Sequence, residues 1–138
     1  ALRGKLDILI VDYLQLLGFE GKGSRNDDIG EATRALKSLS LELDIPVIIL
    51  SQLSRAHESR TNPRPRNSDL KESGSIEQDA DVILFLYDEG YYGDDRQSSG
   101  MTELYSGKNR HGETFSTSIS SANLSYYRFE KFTGGQYK

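Results

Sequence analysis

Two polar side chains that follow short apolar runs are the first candidates for chemistry in this chain. Asp12 directly follows the run Leu6–Val11, and Gln52 stands two residues after the run Val47–Leu50. Ligands of open α/β sheets bind beyond the carboxyl ends of the strands, where a carboxylate can hold a nucleotide-bound Mg²⁺. An amide there can hydrogen-bond a γ-phosphate oxygen or the attacking water. Either residue could instead cap a turn or satisfy backbone groups at a strand end.

Two cations stand close together before a predicted hairpin turn. Lys108 and Arg110 are separated by one residue, and residues at that spacing project from the same side of an extended segment. Together they could stabilise negative charge on a transferring phosphoryl group, the arginine through its planar fork and the lysine as a point charge. A solvated pair on a hairpin is the alternative interpretation.

The segment Asp69–Ser75 has features of a phosphate-binding turn. It offers backbone N–H groups at a helix start, the cation of Lys71, and Gly74, which allows a close approach. It has no aromatic residue on which a base could stack, so we expect contact with a nucleic-acid backbone rather than with bases. The segment Arg55–Lys71 carries five bases and two acids, a net of +3. A purely structural turn is the alternative.

A phosphate cradle, in which a glycine-rich loop joins a strand to a helix, cannot be found in the sequence. Gly18 and Gly23 have the required separation, but Ser24 stands where the phosphate-binding lysine is needed. We therefore expect the loop Gly18–Asp28 to be mobile and the cradle to lie before Ala1. On this interpretation the chain is the second part of a larger domain.

The elements that must position these residues follow from the apolar pattern. Leu6–Val11 and Val47–Leu50 are rich in β-branched residues and typical of strands covered on both faces. Between them a helix is predicted, with Asp27 or Asp28 as its cap and Pro46 beyond its end. Its apolar stripe consists of Ile29, Ala32, Leu36, Leu39 and Leu43. The order strand, helix, strand predicts a right-handed parallel crossover.

The second half of the chain has a different pattern. Leu53–Asn67, with two prolines and four arginines, is expected to be a long loop that is functional or disordered. Two short helical turns, separated by Gly74, are predicted within Ser68–Gln78, and Val82–Tyr87 is a third buried strand. Alternating segments then predict antiparallel strands with a hairpin turn at His111-Gly112. These segments are Met101–Lys108, Thr114–Ser120 and Tyr126–Phe132.

The composition is that of an ordinary globular domain. The 138 residues are 36% hydrophobic and 28% charged, enough for one core. There is no cysteine for a disulfide or a thiolate metal site, and no apolar run is long enough for a membrane span. The formal charge of −4 argues against a uniformly basic nucleic-acid coat. We expect a cytoplasmic protein without membrane contact.

Four blocks of the sequence closely resemble, in order, the carboxyl-terminal motor domain of DnaB-family replicative helicases. They are IVDYLQLL at 10–17, LSQLSR at 50–55, DLKESGSIEQDAD at 69–81 and KNRHG at 108–112. The resemblance covers almost the whole chain, and the third block is the most specific. It implies an α/β, partial RecA-like fold with a parallel β-sheet core, flanking helices and a C-terminal antiparallel hairpin region. Residues 1–132 would be the distal part of that ATPase domain and 133–138 a frayed tail.

The resemblance implies roles for the residues that match the family's motifs. Asp12 corresponds to the Walker B acid that holds the water shell of Mg²⁺, and Gln52 to the γ-phosphate sensor that links ATP state to the DNA loops. Lys71, Glu72 and Gly74 match the loop that touches the DNA backbone, where arginine is more usual than Lys71. A single phosphate contact needs only a donor, so translocation should survive this departure.

Lys108 and Arg110 match a lysine and an arginine finger that act on ATP held by the neighbouring subunit. Asn109 and His111 depart from the family's usual Gln and Asn at positions not expected to touch phosphate. The family's Walker A loop, catalytic glutamate and amino-terminal collar domain would all lie before Ala1.

The resemblance further implies ATP and Mg²⁺ as cofactors and a homo-hexameric ring around single-stranded DNA. Such a ring unwinds duplex DNA at the replication fork, with primase and a helicase loader as partners. The bacterial cytoplasm, a phage-infected cell or a plastid would be its location.

Two other functions stay open. The chain could be a non-catalytic DNA-binding or subunit-interaction fragment of a RecA-like ATPase. It could also be a RecA-like ATPase of another purpose, such as a recombinase or a clock protein, although residues 69–81 match those poorly. A Gly-x-x-x-x-Gly-Lys-Ser/Thr loop before Ala1 would favour the motor.

Overall fold

The computed structural model describes residues 4–17, 24–71, 73–92, 100–120 and 128–131. The chain divides into two compact units, residues 1–54 with 67–80 and residues 55–66 with 81–138. Within the described ranges, no helix is long and apolar enough to cross a membrane. The predicted tail 133–138 lies outside these ranges, so the division at residue 132 stays a prediction.

The first unit contains a parallel pair of strands, β1 (Leu9–Val11) and β2 (Val47–Ile49), in the register Leu9↔Val47 and Val11↔Ile49. A helix connects them, which confirms that the crossover is parallel; its right-handedness stays a prediction. Both strands are shorter than predicted. The ladder begins at Leu9, whose N–H donates to the carbonyl of Pro46 at 3.1 Å. Because proline has no N–H to donate, the ladder does not extend to the residues before Leu9.

One face of this strand pair is open, although the sequence predicted strands covered on both faces. Ile10 and Ile48, which oppose each other in the register, are 58% and 50% exposed. Ile49, on the other face, packs against a core formed by Leu14, Ile29 and Ala32. Successive side chains of a strand point to opposite faces, and in the described residues the helix of the crossover covers only one of them.

The crossover helix, α1 (Arg25–Leu43), begins earlier than predicted. Its N-cap is Ser24, and Asp27 is the third helical residue rather than the cap. The N–H of Asp27 donates to Ser24 Oγ at 3.4 Å, while the N–H of Ser24 donates to Asp27 Oδ2 at 3.0 Å. This reciprocal capping box satisfies two backbone donors at the helix start. The hydroxyl of Ser24 also donates to Asp27 Oδ2 at 2.8 Å, and this bond, followed by the one from the Ser24 N–H, lowers the pKa of Asp27. The predicted loop therefore ends at Ser24, and residues 18–23 lie outside the described ranges.

The predicted apolar stripe of α1 is buried in its first half. Ile29 and Ala32 are in the core and Leu36 packs against it, whereas Leu43 is 42% exposed. The helix ends at Leu43, and the following Asp44 is left-handed with φ 51°. The first half of α1 therefore anchors the helix beneath the strands.

A second helix, α2 (Ser73–Asp79), packs on α1. Thr33 Oγ1 donates to Asp79 Oδ2 at 2.6 Å. The helices approach so closely at Gly30 that a Cβ there would lie 2.7 Å from Ser75 Oγ. Gly74 lies inside α2 and does not separate two turns, so that sequence prediction is wrong. Asn67–Asp69 form a separate 3₁₀ turn before it.

The second unit contains an antiparallel sheet in the order β3, β4, β5, β6. Its strands are β3 (Val82–Tyr87), β4 (Met101–Asn109), β5 (Ser116–Ser120) and β6 (Glu130–Lys131). The predicted turn at His111-Gly112 joins β4 to β5 and is confirmed. The strand predicted over Tyr126–Phe132 is described only as the short β6.

The third predicted strand has the predicted bounds but is buried on one face only. Ile83 and Phe85 are buried, whereas Val82, Leu84 and Leu86 are about half exposed. β3 pairs with β4 and lies outside the parallel pair of the first unit. In the described residues it is therefore a half-covered antiparallel strand.

The arginine-rich segment Leu53–Asn67 contacts this sheet through Arg64. It was expected to be a loop that is functional or disordered, and the second of these alternatives is wrong. Arg64 donates to both carboxylate oxygens of Glu103 on β4, at 2.8 and 2.7 Å. The guanidinium carbon of Arg64 lies 3.5 Å from the ring centroid of Tyr105, whose hydroxyl donates to the carbonyl of Pro65. Bidentate pairing and stacking fix an arginine far better than an isolated surface contact.

Replacing Glu103 should weaken folding in a pH-dependent way. The hydrogen bonds from Arg64 hold the pKa of Glu103 below its ordinary value of 4.5, with Ser116 adding to the effect. A carboxyl with a lowered folded-state pKa stabilises above its ordinary pKa, and this contribution disappears as the pH falls through the folded value. We expect Glu103→Gln to lower the free energy of unfolding by about 1 kcal/mol near pH 7.

Urea unfolding at neutral and acidic pH checks this prediction. The difference from wild type should shrink well below pH 4.5, where the native glutamate is itself protonated. Glu113→Gln, in the exposed turn before β5, is the matched control and should change stability little at either pH. A Glu103→Gln deficit that persisted unchanged in acid would show that the charge of Glu103 is not what stabilises the segment.

Candidate functional site

Asp12 and Gln52 lie at the same edge of the parallel pair, as the sequence predicted. Asp12 is exposed and follows β1 directly. The N–H of Leu50 donates to the carbonyl of Val11 at 2.9 Å, and the N–H of Leu14 donates to the carbonyl of Leu50 at 2.9 Å. The segments that follow β1 and β2 thus stay hydrogen-bonded to each other beyond the strand ends, where ligands of α/β sheets bind.

The chemistry of this edge fits a Mg²⁺ ion brought by a nucleotide. In the part of the chain that the structure describes, no group of three or more His, Cys, Asp or Glu residues could hold a metal by itself. Mg²⁺ does not require such a cage, because it keeps several waters and is bound by one or two carboxylates together with substrate phosphates. The exposed carboxylate of Asp12 can supply that protein ligand through the water shell.

Gln15 connects the two strand ends and was given no role by the sequence. It lies on a 3₁₀ turn, Leu14–Leu16, that is anchored by the fully buried Leu14. Its Nε2 donates to Ser51 Oγ at 3.0 Å, and its Oε1 accepts from the N–H of Gln52 at 3.2 Å. Since a backbone N–H can only donate, the oxygen of the Gln15 amide must be the atom that faces Gln52.

Gln52 is joined in turn to the predicted DNA loop. Its carbonyl accepts from the N–H of Lys71 at 3.3 Å. Around this bond, Leu53 and Leu70 form an antiparallel bridge, and the N–H of Ser54 donates to the carbonyl of Asp69 at 2.7 Å. The backbone of Gln52 is therefore bonded to Gln15 on one side and to Lys71 on the other.

The predicted DNA-contact residues are exposed where they are described. Lys71 lies in the turn before α2, and Gly74 lies in the first turn of that helix. A Cβ added at Gly74 would meet no atom within 4 Å, so packing within the described residues does not require this glycine. Glu72 lies outside the described residues.

The two predicted cations, Lys108 and Arg110, belong to the second unit. Lys108 is in β4 opposite Ile83, but Arg110 lies in the turn after β4, so strand alternation does not set its direction. The direction of the Arg110 side chain is set by a contact with Asp81. Arg110 Nη1 donates to Asp81 Oδ1 at 2.8 Å, and the N–H of Arg110 donates to the carbonyl of Asp81, also at 2.8 Å. Both side chains are still more than a third exposed, which leaves the guanidinium accessible from solvent.

Gln15 and Asp81 are the site residues that sequence reasoning missed. Both stand in the quoted motif blocks, Gln15 three residues after Asp12 and Asp81 at the end of the third block. Their partners are 36 or 37 residues away for Gln15 and 29 away for the side chain of Asp81. No local pattern indicates contacts over such separations.

Comparison with known proteins gives consistent matches. Residues 1–131 match the family profile described as DnaB-like helicase C terminal domain. A probable plasmid replicative DNA helicase of Chlamydia psittaci is 48% identical over 130 residues, which are 94% of this chain and 26% of that protein. The replicative DNA helicase DnaB of Geobacillus stearothermophilus is 47% identical over 109 residues, 78% of this chain and 24% of that protein.

Solved structures agree with these matches. One shows a DnaB-like replicative helicase and its interactions with primase. Its chain aligns with this one at a TM-score of 0.76 and 45% identity, and the alignment covers 82% of this chain and 27% of the helicase chain. A second, described as an ATPase domain, has a TM-score of 0.83 and 42% identity, with coverage of 91% and 44%. The α/β fold is thus that of such ATPase domains. The chain spans about a quarter of the length of the curated relatives it matches.

Proposed function

Because the chain belongs to the DnaB-like helicase C-terminal domain family, we propose that it is the distal part of the ATP-dependent motor of a replicative DNA helicase. The observation that carries this proposal is the backbone path through Gln52. A γ-phosphate sensor must report the state of the nucleotide to the DNA-binding loop. Gln52 lies at the same edge of the strand pair as the carboxylate of Asp12, and its carbonyl accepts a hydrogen bond from the N–H of Lys71 in that loop.

In this proposal Asp12 holds the water shell of Mg²⁺, and Gln52 senses the γ-phosphate. The metal ion would neutralise charge on the phosphates. Lys108 and Arg110 act on ATP bound by the neighbouring subunit and stabilise the charge of the transferring phosphoryl group. Lys71 and Gly74, with Glu72, contact the backbone of single-stranded DNA.

The proposed assembly is a ring of six subunits around single-stranded DNA in the cytoplasm. One similar solved helicase is described together with its interactions with primase, which supports primase as a partner. A helicase loader is proposed on the family resemblance alone. The alternative is a fragment that binds DNA or other subunits without catalysis. The family match, and the location of Asp12 and Gln52 at the same edge of the strand pair, favour the motor.

The test is turnover and unwinding by the intact protein that contains this segment. The motor predicts ATP hydrolysis stimulated by single-stranded DNA and ATP-dependent displacement of a strand from a forked duplex. Omitting Mg²⁺ should abolish both activities. DNA binding without hydrolysis, under conditions in which rings form, would support the non-catalytic alternative.

Lys71→Ala should weaken binding to single-stranded DNA similarly for all base sequences. The exposed lysine carries no group that could stack on a base. The variant therefore loses a contact with phosphate but no contact with a base. The slope of log affinity against log salt should fall by about 0.7 for each phosphate that is no longer neutralised. Fluorescence anisotropy with homopolymeric and mixed oligonucleotides at several salt concentrations measures both quantities.

Two variants serve as controls for this prediction. Lys71→Arg restores the family's more usual residue and should bind at least as tightly as wild type. Lys5→Ala removes an exposed lysine before β1 and should leave the salt slope unchanged. An unchanged slope for Lys71→Ala would mean that the lysine serves only the local turn.

A further inference from the structure

The side chain of Gln15 makes two hydrogen bonds to the strand end that carries Gln52. It donates to Ser51 Oγ at 3.0 Å and accepts from the backbone N–H of Gln52 at 3.2 Å. Both functions of the amide, donor and acceptor, are thereby used on consecutive residues. One bond ends on the side chain of Ser51 and the other on the backbone of Gln52, so together they restrict this strand end more than either bond would alone.

The turn that carries Gln15 is itself rigidly placed. Leu14 is fully buried and packs against Ile29 and Ala32 of α1, and the N–H of Leu14 donates to the carbonyl of Leu50 at 2.9 Å. Gln15 therefore extends from a fixed point of the core. Its amide holds Ser51 and Gln52 at a set distance from the segment that follows Asp12.

Beyond Gln52 the same chain of bonds reaches Lys71, whose N–H donates to the carbonyl of Gln52. We propose that Gln15 is a positioning residue that couples the nucleotide sensor Gln52 to the DNA loop at Lys71. This inference rests on the proposed function. Gln15 touches neither phosphate nor DNA in it. Its amide limits local rotation of the backbone at Gln52, so a movement of Gln52 with nucleotide state is passed on to Lys71 and is not absorbed locally.

The quantity that this role controls is the coupling between the nucleotide and DNA sites. It is measured as the ratio of the dissociation constants for a single-stranded oligonucleotide with ADP and with a non-hydrolysable ATP analogue. Typical couplings between two sites are about 5- to 150-fold, and the effect must be reciprocal. DNA must therefore change the relative affinity for the two nucleotides by the same factor, which provides an internal check.

The decisive variant is Gln15→Met in the intact protein. Methionine keeps the length of the side chain and removes both hydrogen bonds. We expect the coupling ratio to fall by about fivefold or more, toward 1, while rings still assemble and bind ATP with an affinity within about threefold of wild type. If Gln15 only stabilised the fold, the variant would have a lower melting temperature and weaker DNA binding with either nucleotide. The ratio of the two dissociation constants would then stay as in wild type.

Further variants separate the possible outcomes. Ser51→Ala removes one of the two bonds and should give an intermediate ratio, which also tests the inference if Gln15→Met does not fold. Gln78→Met makes the same chemical change at an exposed position of α2 and should keep the wild-type ratio. Normal coupling in both Gln15→Met and Ser51→Ala would overturn the inference alone. Wild-type rings without any coupling would contradict the proposed function, and the inference with it.

Discussion

Rings made only of Arg110→Ala subunits should bind ATP and scarcely hydrolyse it. Arginine fingers contribute about 10³ to 10⁵ in rate by stabilising the charge of the transition state, so a loss of that order in kcat is expected. The affinity for a non-hydrolysable analogue should change far less. Steady-state turnover and equilibrium binding, measured on the same rings, separate these effects.

The contact between Arg110 and Asp81 requires a control for this result. Removing the guanidinium also removes an ion pair of 2.8 Å within the chain. Arg128→Ala removes a different exposed arginine, which pairs with Glu130 at 3.0 Å, and should leave turnover unchanged. Asp81→Ala, which breaks the ion pair but keeps Arg110, shows how much of any loss in stability comes from the pair itself.

Mixed rings decide whether Arg110 acts across a subunit interface. Arg110→Ala subunits keep their phosphate cradle, and subunits without the cradle lysine keep Arg110. When the two are mixed, some interfaces join a working cradle to a working arginine, and ATPase activity should reappear. Mixtures that co-assemble but are no more active than either parent would contradict action in trans.

Asp12→Asn should abolish turnover while leaving most of the nucleotide affinity. A metal ion lowers the free energy of a charged transition state by several kcal/mol, and each 1.36 kcal/mol corresponds to a tenfold change in rate. Because Asp12 orients that ion, kcat should fall by about 10² or more. Binding should weaken by less than about tenfold, because the phosphate oxygens are held mainly by the cradle rather than by Asp12. Titration with a fluorescent ATP analogue at several Mg²⁺ concentrations measures both.

Asp7→Asn is the matched control for Asp12, since it makes the same change at an exposed position five residues earlier in the segment before β1. It should leave turnover and Mg²⁺ dependence unchanged. An equal loss of binding and turnover in Asp12→Asn would indicate that Asp12 stabilises the strand end and does not orient the metal.

The sequence was sufficient to predict the architecture around Asp12 and Gln52. Apolar runs of strand length on both sides of a helical stripe predict a parallel crossover, and parallel strands bring their carboxyl ends to one edge. Each of the two polar residues follows one of these apolar runs, and this position alone is enough to place both at that edge. The hairpin turn at His111-Gly112 is equally local, because a turn depends on a few adjacent residues.

Local signals were less reliable where burial and element boundaries depend on neighbours elsewhere in the chain. The strand β3 was predicted to be buried, yet Leu84 is about half exposed, since an apolar run does not specify how many faces are covered. The arginine-rich segment Leu53–Asn67 was expected to be a functional or disordered loop, because it has little apolar content and two prolines. Its order comes from Glu103 and Tyr105, which are distant in sequence from Arg64.

Only the tertiary structure determined which polar groups meet. The bonds of Gln15 to Ser51 and Gln52, of Gln52 to Lys71, and of Arg110 to Asp81 join residues between 19 and 37 positions apart. A hydrogen bond forms only when donor and acceptor are within about 3 Å and aligned. Residue type and spacing along the chain do not fix that distance; the packing of Leu14 against α1 and the pairing of β3 with β4 do.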